Sequence, residues 1–205
     1  MKKIISLLLL VVCILATKAQ QTPLPLAQQP RTRTLDIKHI ALDIHFDWSK
    51  KQVIGQSTIT CSTLKPSRQI NLDAAMMSIQ SVRLLNNTRL TFQYDSSDKN
   101  DALVINLDRT YLPNEEITFS IQYHTNRIDE SDPNFPGGSN VKGVRFFTPT
   151  TTEPARREQL WSMGEPASNR YWFPSYDAPD DFRTTELMAT VENKMTVISN
   201  GDLVA

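Results

Sequence analysis

Three charged residues lie among aromatic residues near the end of the chain, and this stretch could bind a ligand. Glu165, Arg170 and Asp177 alternate with rings at Trp161, Tyr171, Trp172 and Phe173. Binding loops are commonly built from charged groups held by rigid rings. The alternative is a connection between strands, in which the rings complete the core and Arg170 pairs with Asp177. Composition alone favours this structural interpretation.

Zinc-dependent hydrolysis needs imidazole or carboxylate ligands that converge on one ion, and the sequence contains no such set. Its most economical form, His-Glu-x-x-His on one helix with a third ligand beyond it, does not occur. His39 and His45 are six residues apart on one predicted strand, about 20 Å, which is too far to share an ion. His124 ends another predicted strand. We therefore predict no metal site and no catalytic residue in this chain.

Other reactive or ion-binding groups carry equally little signal. There is no Gly-x-Ser-x-Gly motif, and Cys61 stands mid-strand, where a small apolar side chain would serve equally well. The acidic run 129–132 does not fit the twelve-residue calcium loop, and Pro133 interrupts it. We expect this run to belong to a Pro/Gly-rich loop over residues 129–140.

The first residues have the composition of a secretory signal. Lys2 and Lys3 precede an apolar run over 4–16, and Thr17 and Ala19 are small residues suited to cleavage. We therefore predict a signal peptide over 1–19 and export to the periplasm, the cell surface or the medium. Lipidation at Cys13 is disfavoured because apolar residues continue beyond it. We predict no membrane span in the mature chain.

The charge of the mature chain argues against a nucleic-acid partner. Cleavage after residue 19 removes three lysines of the 22 basic residues and leaves all 22 acidic ones, so the net charge becomes −3. Residues 20–34 are rich in Gln, Pro and Thr without an apolar period, which indicates a leader.

From residue 35 onward the pattern is typical of strands. Ile40, Leu42 and Ile44 alternate with more polar residues, which indicates a half-buried strand. Further strands are predicted at 53–61, 70–72, 89–94, 102–107, 117–123, 144–148, 187–191 and 195–199, and Ile79, Val82 and Leu84 mark another element. No amphipathic helix of three turns follows the signal peptide. We therefore predict an all-β fold over 35–205, an antiparallel β-sandwich.

The end of the chain carries a hairpin signal. Asn200-Gly201 is a strong turn dipeptide, but a hairpin needs a second strand of about five residues and the sequence stops at Ala205. We therefore expect the domain to be truncated at this C-terminal hairpin.

The stretch from Gly164-Glu165 continues through Arg170, an aromatic pair, Phe-Pro and Asp-x-Pro to Ser-Asn-Gly-x-Leu-Val at 199–204. This order is the most specific part of a resemblance to the N-terminal β-domain of the aminopeptidase N-like (gluzincin) zinc metallopeptidases. The segments 36–48 and 53–60 resemble the opening hairpin of that domain, and Leu72-Asp73-Ala74 resembles a later part of it. The resemblance covers about residues 35–204 and implies a saddle-shaped β-domain.

The resemblance also implies a role for Glu165. The family uses an acidic or amide residue five positions before this arginine to hold the free α-ammonium of a peptide substrate, and Glu165 occupies that position. Zinc and the attacking water belong to a downstream catalytic domain in complete members. The implied function is therefore the N-terminal domain of an exported zinc aminopeptidase, which is inactive by itself.

Two residues depart from the family pattern. Met163 stands where many members have Gln, and Ser175 replaces a frequent Cys. The first change offers a soft apolar wall beside Glu165. A different function also fits the sequence, namely a free-standing β-sandwich that serves as a non-catalytic binding or interaction module.

Overall fold

The computed structural model describes residues 32–96, 101–126, 143–165 and 167–204. The predicted signal peptide, residues 20–31 of the leader and the 129–140 loop lie outside these ranges. Residues 33–205 form one compact unit. Within the described part of the chain, no helix is long and apolar enough to cross a membrane.

Strands dominate the fold, which confirms the predicted all-β class. They are β1 (Leu35–Asp47), β2 (Gln52–Thr63), β3 (Ser67–Asp73), β4 (Met77–Leu84), β5 (Arg89–Tyr94), β6 (Ala102–Tyr111), β7 (Glu116–Thr125), β8 (Gly143–Phe147), β9 (Gln159–Met163) and β10 (Thr184–Thr190). The described helical structure is one short 3-10 helix, Asn169–Tyr171.

Eight strands form one curled sheet in the order β10-β1-β2-β7-β4-β5-β6-β3, and β8 pairs with β9 in a separate ribbon. Pairing in the large sheet is shortest between β4 and β5, which pair at only two positions, Val82 with Leu90 and Arg83 with Arg89. Strands on both sides of this short pairing contribute to one buried core. Examples are Ile59 and Phe119 from β2 and β7, and Ile70 and Ile105 from β3 and β6. The curl thus lets one sheet enclose its own core.

The alternation in β1 is confirmed, with one local irregularity. Ile37 and Ile40 are both buried although they are three residues apart. A bulge in the pairing between Ile37 and His39 shifts the register by one residue, which returns Ile40 to the core side. Leu42 and Ile44 then follow with the normal period of two.

Cys61 lies in β2 with its side chain fully buried and not in a disulfide. Desolvation by burial raises the pKa of its thiol to about 12. The thiol is therefore protonated at neutral pH and serves as a small apolar core group, as predicted.

Strand β9 was not among the predicted strands. Strand β10 pairs in parallel with β1, unlike the antiparallel pairs elsewhere in the sheet. The prediction of a strand at 195–199 was wrong. Those residues are not in a strand, and Val197 and Ile198 are exposed. A strand is stable only when another strand satisfies its backbone groups, and no described strand pairs with this segment.

Gly55 marks a close approach of two strands. It pairs opposite Ile44 in β1. A Cβ atom built on Gly55 would lie 2.2 Å from the carbonyl oxygen of Asp43 and 2.9 Å from the Cα of Ile44. Because both atoms belong to the backbone of a central strand, neither can move aside cheaply.

We expect Gly55→Ala to lower the free energy of unfolding by about 1–3 kcal/mol through this backbone clash. Chemical denaturation of the two proteins measures the change. Thr58→Ala, on the same strand, is the control and should cost clearly less. Equal losses for the two variants would contradict the close-approach explanation.

Candidate functional site

The β8–β9 ribbon positions the start of the charged and aromatic stretch. Opposite residues in its register are Gly143 with Met163 and Arg145 with Trp161. One face of the ribbon packs inward through Phe146, whose ring makes edge contacts with Phe46 at 6.4 Å and Trp48 at 5.3 Å between centroids. These contacts fix the ribbon against the end of β1.

Residues 164–177, without Pro166, form the anchor loop, which directly follows β9. Its first turn closes on itself, since the Ser168 amide donates to the Gly164 carbonyl at 2.9 Å and the Ser168 hydroxyl donates to the Glu165 carbonyl at 3.2 Å. A Cβ on Gly164 would lie 2.7 Å from the Asn169 side-chain oxygen. Asn169 in turn accepts a hydrogen bond from the Trp172 indole at 3.2 Å. The backbone of Glu165 is thus held by local hydrogen bonds.

Arg170 is the centre of the anchor loop's electrostatics. Its Nε donates to Asp177 Oδ2 at 3.2 Å, its Nη2 donates to the Asp177 carbonyl at 3.3 Å, and its Nη1 pairs with Asp101. Asp73 lies 4.0 Å from Nη2. Burial disfavours the charged guanidinium, but the three carboxylates outweigh it and raise the pKa of Arg170. The expected Arg170–Asp177 pair is therefore confirmed, and both residues act structurally.

Asp73, at the end of β3, connects the anchor loop to the large sheet. Its amide donates to the Ser175 carbonyl at 2.7 Å, and the Ser175 amide donates back at 3.0 Å. The buried Asp73 carboxylate accepts from the Asp177 amide at 2.8 Å. Ala75 adds a backbone hydrogen bond to the Arg170 carbonyl at 2.8 Å. In the sequence, Asp73 was noted only as part of the family resemblance. The local feature that could have identified it is an acidic residue at the end of an apolar strand.

Glu165 differs from Asp177, the other acidic residue of the anchor loop. Its side chain is exposed, and no described residue hydrogen-bonds or pairs with its carboxylate. The loop therefore does not use this carboxylate for its own structure among the described residues. The geometry leaves a negative charge at the surface, on a backbone that other residues hold.

The three histidines are separate from one another. His39 Nδ1 lies 2.8 Å from the Thr184 hydroxyl, and His124 Nδ1 lies 2.7 Å from the Gln80 amide nitrogen. His45 is exposed on β1. Over the described ranges, no group of three His, Cys, Asp or Glu residues could hold a metal ion. These residues do not fit a zinc site, so no step of a reaction is assigned to zinc here.

The fold and the anchor loop together define a β-domain whose loop leaves Glu165 exposed. The family model for the peptidase M1 N-terminal domain matches residues 36–205. The chain belongs to the peptidase M1 family, whose members are zinc metallopeptidases, and corresponds to their N-terminal domain.

Solved structures show the same fold. The M1 zinc metallopeptidase from Deinococcus radiodurans is similar with a TM-score of 0.56 at 21% identity, over 77% of this chain and 32% of that chain. A mutant of that protein has been solved bound to a Tyr-ser-ala substrate. The leukotriene A4 hydrolase from Saccharomyces cerevisiae gives a TM-score of 0.58 at 18% identity, over 85% of this chain and 27% of that chain. The chain thus spans about a third of the length of the Deinococcus protein.

We expect Asp177→Ala to lower the free energy of unfolding by about 3 kcal/mol, because it removes the carboxylate that accepts a hydrogen bond from Nε of the half-buried Arg170. The side chains of Arg170 and Asp177 are only 18% and 4% exposed. Glu115→Ala is the matched control, since it breaks the exposed pair with Arg109 and should cost less than about 1 kcal/mol. Urea denaturation of both variants gives the comparison. Similar losses would show that the Arg170 cluster is no stronger than a surface pair.

We also expect the purified chain to hold no stoichiometric zinc. Structural zinc needs about four converging ligands, and catalytic zinc needs three protein ligands. Metal analysis after exhaustive dialysis measures the content. One tightly held zinc ion per chain would overturn the assignment of the metal to a different domain.

Proposed function

We propose that this chain is the N-terminal domain of an exported zinc-dependent aminopeptidase, and that it contributes the anchor for the substrate's amino end. Glu165 is the anchoring residue. Hydrolysis belongs to a catalytic domain outside this chain, and the chain by itself is inactive. The partners are peptides with a free N-terminus and that catalytic domain.

The exposed carboxylate of Glu165 is the observation that carries this proposal. A carboxylate without a described partner is available to accept hydrogen bonds from an ammonium group, and charge-assisted hydrogen bonds of this kind are among the strong ones. A useful anchor must also keep its position. The hydrogen bonds at the Gly164 and Glu165 carbonyls and the Arg170 cluster supply that rigidity.

This chemistry accounts for selection of peptide ends. An internal residue of a polypeptide has an amide nitrogen without charge, so it offers the Glu165 carboxylate no ion pair. A desolvated carboxylate facing such an amide would exchange its hydration for at most one hydrogen bond from a neutral N–H, which penalises internal sites. One acidic residue can therefore favour exopeptidase over endopeptidase activity. Export is supported by the composition of residues 1–19.

We expect Glu165→Ala, in the longer protein that carries this domain, to lower kcat/KM on free-amine peptides by about thirtyfold or more. The loss of one partner from a desolvated charged hydrogen bond costs roughly 2–5 kcal/mol. The melting temperature should barely change, since no described residue bonds to that carboxylate. Steady-state kinetics and thermal unfolding are measured on one preparation.

Glu116→Ala serves as the control, because it removes an exposed carboxylate on β7 and should leave kcat/KM unchanged. If kcat/KM of Glu165→Ala stays within about twofold of the parent, or if the variant lowers the melting temperature with normal turnover, Glu165 is not a substrate residue.

The gene distinguishes the peptidase from the alternative function, a non-catalytic binding or interaction module. A His-Glu-x-x-His motif encoded downstream of residue 205 supports the peptidase, and a stop codon without such a motif supports the module.

A further inference from the structure

Three exposed leucines lie at one end of the large sheet, each in a different loop between strands. They are Leu64 after β2, Leu85 after β4 and Leu112 after β6, and they are 41%, 82% and 61% exposed. Turns are usually built from Gly, Pro, Asn, Asp and Ser, each of which serves the backbone geometry. A leucine serves no such purpose, so the turns themselves do not explain these side chains.

Strand pairing and backbone hydrogen bonds bring the three loops to the same end of the sheet. Strands β2 and β4 both pair antiparallel with β7, so their carboxyl ends point the same way. The Leu85 amide donates to the Thr118 carbonyl of β7 at 3.1 Å. The Asn114 amide, in the loop after β6, donates to the Thr63 carbonyl at 3.3 Å, directly before Leu64. The resulting surface, the leucine end, comprises residues 64–66, 85–88 and 112–115.

Four basic residues flank the first two loops of the leucine end, namely Lys65, Arg68, Arg83 and Arg89. None of the four forms an ion pair with a described residue, and Arg83 donates only to neutral oxygens of Asn87, at 3.2 Å and 3.3 Å. Arg83 and Arg89 stand directly opposite each other in the β4–β5 pair. Like charges at opposite positions repel, so an anion beside them would stabilise both.

The carboxylates near the leucine end are fewer and mostly paired. Within four residues of the three loops, the chain carries five basic and three acidic residues. Glu115 forms an ion pair with Arg109, and Glu116 lies 3.7 Å from the ammonium nitrogen of Lys38. This leaves Asp108 against the four unpaired cations. The leucine end is therefore positive, although acidic residues outnumber basic ones in the chain from residue 20 onward.

The leucine end and the anchor loop lie at opposite ends of the sheet. Strand β7 starts directly after the third loop, and its ten residues span about 30 Å. Beyond its other end, the Asn126 amide donates to the Met76 carbonyl at 2.7 Å. Ala75, the neighbour of Met76, donates to the Arg170 carbonyl at 2.8 Å. A surface that binds the leucine end therefore leaves the anchor loop free.

We propose that the leucine end docks this domain on an anionic phospholipid membrane as a peripheral contact. The leucines enter the boundary between headgroups and acyl chains, and the four cations meet the lipid phosphates. Stable attachment takes two signals, and this surface supplies an apolar one and an electrostatic one. Leucines on three separate loops suit insertion between lipids, whereas a protein partner needs a continuous, closely packed apolar centre. The inference does not depend on the anchoring role of Glu165.

The test measures vesicle binding by the chain from residue 20 onward, so that the apolar run at 4–16 does not insert by itself. Vesicles of phosphatidylcholine with about one third phosphatidylglycerol are compared with vesicles of phosphatidylcholine alone by co-sedimentation. We expect binding to the anionic vesicles to be about tenfold stronger or more, and this preference should fall as the salt concentration rises.

The apolar contribution is tested with Leu85→Ser/Leu112→Ser, which removes the two most exposed leucines of the surface. This double variant should bind the anionic vesicles about tenfold more weakly or less. Ile198→Ser/Leu203→Ser is the matched control, because these residues are 91% and 94% exposed but follow β10, away from the leucine end. The control should bind like the parent. Thermal unfolding of both variants verifies that they are folded.

The electrostatic contribution is tested with Arg83→Gln/Arg89→Gln. This variant should reduce the preference for phosphatidylglycerol to about twofold or less. Arg156→Gln/Arg157→Gln makes the same change in net charge outside the leucine end and should keep the preference. The comparison separates a local cationic surface from the charge of the whole chain.

No binding to anionic vesicles, equal binding to both kinds of vesicle, or equal losses in a variant and its control would overturn the inference. Sedimentation velocity tests a competing occupant. A dimer that dissociates in Leu85→Ser/Leu112→Ser, without vesicle binding by the parent, would assign the leucine end to a second copy of this chain and would equally overturn the membrane inference.

Discussion

The position of the anchor loop depends on one cation, the guanidinium of Arg170. A buried charge is costly unless hydrogen bonds and opposite charges replace its hydration. Here Asp177 and Asp101 provide direct hydrogen bonds, and Asp73 lies within 4.0 Å. Each of these carboxylates comes from a different part of the chain. The satisfaction of a single side chain therefore joins the loop, the end of β3 and the segment before β6.

This arrangement separates support from exposure. The acidic residues around Arg170 are used internally, and Asp73 also caps the amide of Asp177 at 2.8 Å. Glu165 lies five residues before Arg170 but is not included in that network over the described residues. Three carboxylates, one of them from the loop itself, are thus committed to supporting the loop, while the carboxylate of Glu165 is left at its surface. Rigid support is what makes such a group selective, because a mobile carboxylate would accept an ammonium in many positions.

The sequence predicted the parts of this structure that depend on local pattern. Strands such as β1 and β7 were legible because one face of each is buried and the residues alternate. Arg170 and Asp177 could be paired in advance because they are seven residues apart. Asp101 and Asp73 could not be placed, since they lie 69 residues from Arg170 and 104 residues from Asp177 respectively. Strand β9 was missed because Trp161 and Met163 face outward, so its apolar residues do not report a core.

The pairing of β10 with β1 sets the order in which the sheet can form. His39 and Thr184, which meet in this pair, are 145 residues apart, so the contact has a large loop-closure entropy and belongs to the slow class of non-local pairings. As the chain is synthesised, β1 can pair with β2 early, but its other edge stays open until residues 184–190 have emerged. An open strand edge is a template for pairing with other chains. One edge of β1 therefore stays open to pairing with other chains from the completion of β2 until the arrival of β10.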